Sequence, residues 1–118
     1  MRNDKLSVQS MDFAIFIINL VKFLTENKEH VISNQIGRSG TSIGANIREA
    51  QYAHGKADFI AKLQIALKEA HETGYWRELL FKTNYITISH TTIFALLPPL
   101  FSFVTTICLS MRFFRSAM

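Results

Sequence analysis

Ser42, Asn46 and Glu49 recur at helical spacing with Arg38 one turn earlier, so a helix through them carries a hydroxyl, an amide, a carboxylate and a guanidinium on one side. A serine nucleophile needs a base within hydrogen-bond reach, and no histidine stands on that segment to serve. The set therefore reads as a structural polar network, in which Asn46 and Glu49 bond to a neighbouring helix or subunit. Arg38 has two candidate roles, partner of an acidic side chain or contact to a phosphate. The four histidines raise metal chemistry next. Di-iron bundles take Glu-x-x-His from facing helices, and none of His30, His54, His71 and His90 lies three residues after a glutamate. Glu26 and His30 are four apart but fall in an expected turn. HExxH, paired CxxC and glycine-rich phosphate loops are also missing from the sequence. The expectation is no enzyme, no metal and no cofactor.

The remaining chemistry is electrostatic. The formal net charge is +4 and the pI about 9.5, which favours an anionic partner without identifying it. Arg38, Arg48, Lys56, Lys62, Lys68 and Arg77 are the candidate nucleic-acid contacts, with Tyr75 and Trp76 as candidate stacking groups. Stacking adds about 1–3 kcal/mol per base where it occurs. A chain this near neutral would hold a nucleic acid weakly alone, whereas an oligomer repeats every cation and sums the phosphate contacts.

The elements that must position these groups are helical throughout. Helix 1 is expected over about 7–27, with Ser7 or Ser10 as N-cap and Phe13, Ile17, Leu20, Val21 and Leu24 as its stripe. Ile15, Phe16 and Ile18 widen that stripe, so helix 1 either sits centrally or meets another subunit. Helix 2 is expected over about 30–53. Its apolar side gathers Ile32, Ile36, Ile43, Ile47 and Ala50, with Gly37, Gly40 and Gly44 beside them. Each glycine costs a helix about 1 kcal/mol relative to alanine. Retaining three implies close approach of another helix, so Gly37, Gly40, Gly44, Ile43 and Ile47 are the expected packing residues. Helix 3 is expected over about 56–84, where Phe59, Leu63, Ala66, Leu67, Ala70, Gly74 and Leu79 recur at threes and fours.

The 118 residues suit one domain. A single cysteine, Cys108, forms no intrachain disulfide and suits a reducing cytoplasm. The polar opening MRNDKLSVQS argues against a secretory leader. From Tyr85 to Met111 there is no Lys, Arg, Asp or Glu, and Pro98-Pro99 interrupts the segment. The tail 85–118 reads as a bent fourth helix, as a membrane anchor through 91–111 followed by Arg112 and Arg115, or as a segment foreign to the fold.

Gln35, Arg38, Ser42-Ile43, Asn46-Ile47 and Glu49, followed by Phe59, Leu63, Ile65-Ala66, Lys68-Glu69, Glu72-Thr73, Tyr75-Trp76 and Leu79-Leu80, resemble the small proteins encoded in 23S rRNA intervening sequences. The resemblance runs from about Val8 to Ile86. More distantly, the chain is similar to the accessory variability determinants of diversity-generating retroelements. This resemblance implies an all-α, antiparallel (up-and-down) four-helix bundle, a homo-oligomer of five subunits and no catalysis. The retroelement relatives imply RNA, a ribonucleoprotein or a reverse transcriptase as partner. Two departures stand out: Ala50 replaces a glycine that commonly follows the glutamate, and the tail after Thr87 lacks the charged fourth helix. A shifted reading frame would account for that tail, because the degenerate codons for Thr91 to Ala95, read one base earlier, permit polar residues. The alternatives are a protein-protein interaction module without nucleic acid, or a tail-anchored membrane protein.

Overall fold

The computed structural model describes residues 4–86, and within them the chain forms α1 (Asp4–Glu26), α2 (Val31–Gln51) and α3 (Lys56–Lys82), with no strand among the described residues. Residues 87–118, which are all but the first two positions of the expected tail, lie outside the described residues, and with them its readings as fourth helix or anchor. Buried positions on α1 advance strictly by fours and threes: Leu6, Ser10, Phe13, Ile17, Leu20 and Leu24. On α3 the series Phe59, Leu63, Ala66, Ala70 and Thr73 keeps this spacing, with Ile60 buried beside it and Leu80 following two turns after Thr73. This is the spacing that sets side chains of one helix between those of another.

Helix α2 is the one in the middle. It packs against both α1 and α3, and no pair of Cα atoms from α1 and α3 comes within 8 Å. Of the two readings of helix 1, central or meeting another subunit, the first does not hold, since the central place belongs to α2, whose glycines let α1 approach closely. A β-carbon on Gly37 would lie 3.1 Å from Val21 Cγ2, one on Gly40 2.7 Å from Ile17 Cγ1, and one on Gly44 3.4 Å from Ser10. Partners on α1 fall in number as positions on α2 rise, so the two helices run antiparallel. Ile17, Ile36 and Ile43 are fully buried at this contact. Each such side chain contributes about 1.5–3 kcal/mol, more than the helix propensity lost at one glycine.

The turns explain where the helices stop. Lys28 adopts a left-handed conformation (φ 64°), with its N–H donating to Thr25 O at 3.0 Å and that of Glu29 to Leu24 O at 2.9 Å. These are the paired bonds of a Schellman C-cap. Asn84 (φ 66°) repeats the motif after α3, with Asn84 N–H donating to Phe81 O and Tyr85 N–H to Leu80 O. Helix 3 accordingly ends at Lys82 rather than Asn84. Buried Glu29 caps α2, accepting from the N–H groups of Ile32 (3.2 Å) and Ser33 (2.8 Å). The two serines expected to cap α1 lie inside it instead: Ser10 Oγ donates to Ser7 O at 2.9 Å, and Ser7 Oγ accepts from Gln51.

By length and composition α1 could also cross a membrane. In this fold its Leu6–Leu24 stripe is buried.

Candidate nucleic-acid interface

Arg38 leaves α2 toward α3, where Glu69 and Glu72 stand one turn apart on a facing side. Its Nη1 donates to Glu69 Oε1 at 3.3 Å and its Nη2 to Glu72 Oε2. Trp76 Nε1 donates to the same Glu72 oxygen at 2.9 Å, and the indole packs against the core. Beneath this clamp Thr73 Oγ1 hydrogen-bonds to Ser39 Oγ at 2.9 Å and to Glu69 O at 2.8 Å. The motif residues of α2 and α3 thus form a polar seam between the two helices. Of the two roles open to Arg38, the geometry realises the acidic pairing, although half of its side-chain surface stays exposed.

The polar set on α2 divides. Ser42 Oγ donates to Arg38 O at 2.7 Å, and Asn46 Nδ2 to Ser42 O at 2.9 Å, so both bond to their own helix. Glu49, like Arg38, crosses to α3, where its Oε1 lies 3.0 Å from Lys62 Nζ. That hydrogen bond and the carboxylate charge hold the Lys62 ammonium above its ordinary pKa.

The six candidate cations do not share one face. Arg48, Lys56 and Lys68 are exposed, whereas Lys62 is half-buried and paired. Arg77 is half-buried, with a buried Nε that lacks a hydrogen-bond partner. Of the stacking candidates, Tyr75 is exposed and Trp76 is committed to Glu72 and the core. The two rings meet edge to face at 4.9 Å.

The turn between α2 and α3 brings Arg48 and Lys62 together with two carboxylates, Glu49 and Asp58. An open hollow of about 560 Å³ is lined there by Arg48, Glu49, Tyr52, His54, Asp58 and Lys62. Tyr52 and His54 were not candidates for nucleic-acid contact in the sequence. The sequence places Tyr52 one helical turn after Arg48 and three residues before Gly55, which gives the spacing but not the exposure of the ring. A narrower groove of about 390 Å³ between α1 and α2 includes Met11, Ala14, Gly44, Ala45 and Arg48 in its lining. Among the described residues no three His, Cys, Asp or Glu side chains converge on a metal position, and His90 and Cys108 lie outside them.

Helices in antiparallel sequence around a glycine-bearing α2, joined to α3 by an arginine clamp, define an all-α packing protein. The model of the 23S rRNA-intervening sequence protein family matches residues 2–96, and the chain belongs to that family. A crystal structure from Bacteroides thetaiotaomicron, described as a protein of unknown function from the S23 ribosomal protein family, is similar at 50% identity with a TM-score of 0.85. The match covers 90% of this chain and 97% of that one. No curated protein matches.

Proposed function

We propose that the protein acts without catalysis, as a self-associating helical bundle whose assembled copies hold RNA or a ribonucleoprotein through exposed cations. One observation carries the assembly. Val8, Met11, Ile15 and Ile18 recur at threes and fours on the side of α1 away from its core stripe, and they are 45% to 59% exposed. A contiguous apolar stripe in water is an interaction surface. Its spacing repeats that of the chain's own core, so a second copy is a matching occupant. Exposed Lys5, Asp12 and Lys22 on the same helix carry both signs, which a copy of that helix can pair. The family resemblance supports a ring of five. It also supports a fourth helix, as an up-and-down bundle has.

Assembly multiplies Arg48, Lys56 and Lys68, and with them the counterions released on binding a polyanion. The retroelement resemblance extends the partner to a reverse transcriptase complex. Light scattering of the wild type and of Ile15→Glu tests assembly, with a multimer expected for the first and a smaller species for the second. Binding to a labelled rRNA fragment should weaken steeply with added salt. A monomeric wild type, or no RNA retention at low salt, rejects the reading.

A further inference from the structure

Tyr52 is the most exposed large side chain among the described apolar and aromatic residues, at 80%. It is nonetheless held on an ordered turn: its N–H donates to Glu49 O at 3.0 Å, that of Ala53 to Ala50 O at 3.1 Å, and that of His54 to Asp58 Oδ2 at 3.3 Å. An aromatic ring open to water on a hydrogen-bonded turn is a platform for a planar partner. Of the two carboxylates beside it, Glu49 pairs with Lys62, and Asp58 accepts from the His54 N–H. Arg48, one turn before Tyr52 and lining the same hollow, enters none of the four ion pairs among the described residues.

The start of α3 completes the hollow. Gly55 is its N-cap and supplies no side-chain hydrogen bond, and the space where a β-carbon would stand is empty to 4 Å. Asp58 in the first turn of α3 already sets a carboxylate at that end, so a phosphate here falls to Arg48. An exposed ring with an exposed guanidinium one turn before it suits a base with its phosphate. The hollow is too open to enclose a metabolite, and a duplex keeps its bases stacked away from such a ring.

We propose that the α2–α3 turn binds a nucleotide of single-stranded RNA, with the base stacked on Tyr52 and an adjoining phosphate at Arg48. This rests on the RNA reading above and assigns its contact point. Fluorescence anisotropy of the full chain with a labelled single-stranded RNA 12-mer, and with the same strand in duplex, tests it. Tyr52→Ala should weaken single-strand binding about 5- to 150-fold, the loss expected for one stacked base. Tyr52→Phe should stay within about twofold of wild type, because the ring survives. The salt slope should persist in Tyr52→Ala and flatten by about 0.7 in Arg48→Ala, which removes one phosphate contact. Circular dichroism confirms that each variant keeps its helices. If wild type binds RNA and Tyr52→Ala binds equally well, or if duplex binds as tightly as the single strand, the turn is not the contact point. If wild type binds neither RNA, the RNA reading fails and this assignment with it.

Discussion

Ile17 of α1 occupies the space above Gly40 of α2, so closely that a β-carbon there would meet Cγ1 at 2.7 Å, Cδ1 at 2.9 Å and Cγ2 at 3.0 Å. All three are atoms of one fully buried side chain. Gly40 is therefore a spacing device that sets how near the two helices come.

Gly40 and Gly44 should respond differently to alanine. Gly40→Ala forces Ile17 to shift, with an overpacking cost of about 1–3 kcal/mol that the helix propensity gained, about 1 kcal/mol, offsets only partly. Gly44→Ala meets Ser10 at an ordinary 3.4 Å and should keep most of that gain. Thermal melts should rank Gly44→Ala above wild type and Gly40→Ala below it. Equal melting temperatures for the two variants would refute the spacing role.

Glu29 is a cap by side chain rather than by position, lying one residue ahead of the N-cap His30. Glu29→Ala leaves the N–H groups of Ile32 and Ser33 without their acceptor, and loss of such a cap costs about 0.5–2 kcal/mol. Urea denaturation should show the midpoint fall with the slope unchanged. Glu29→Gln should recover part of the loss, since one amide oxygen still accepts.

Lys28 holds a left-handed conformation that glycine adopts without strain. Its N–H keeps the bond to Thr25 whichever side chain is present. Lys28→Gly should stabilise the fold by up to about 1 kcal/mol. A melting temperature at or below that of wild type would show that the side chain does something else.

Those two turns also mark what the sequence could not reveal. The three helices, their apolar sides and the role of Gly37, Gly40 and Gly44 were legible because period and residue size are local properties. Left-handed Lys28 was not, because lysine carries no turn signal and only the Schellman bonds to Thr25 and Leu24 impose the conformation. Ser7 and Ser10 looked like caps because the polar opening hid that α1 already runs from Asp4. Arg38 was visible as a functional group, yet its partners Glu69 and Glu72 depend on the register of α2 against α3. Tyr52 was hidden by the same gap, since a ring's exposure is a property of the packed turn.

Lys62 offers a titration. Glu49 raises its pKa first by a hydrogen bond and then by charge. Because the folded value lies above the ordinary 10.5, the pair's contribution is complete below that pH and fades as pH climbs through the folded value. Glu49→Gln should move the Lys62 side-chain midpoint, followed by carbon-detected NMR, downward toward the ordinary range. An unmoved midpoint would mean that Glu49 does not hold the ammonium in solution.

The clamp at Arg38 can be separated from a phosphate contact. One guanidinium reaches both Glu69 and Glu72, a geometry that a single ammonium cannot copy. The site is half exposed, so removing the pair should cost no more than about 1 kcal/mol. Arg38→Ala should lower stability by that order, and so should Arg38→Lys, whereas Glu72→Gln should lose less once Arg38 is already alanine. That shortfall in a double-mutant cycle measures the coupling. RNA affinity should change little in Arg38→Ala, because the two facing carboxylates already neutralise the guanidinium. Additive stability changes, together with a large loss of RNA binding, would transfer Arg38 from the helix seam to the nucleic-acid surface.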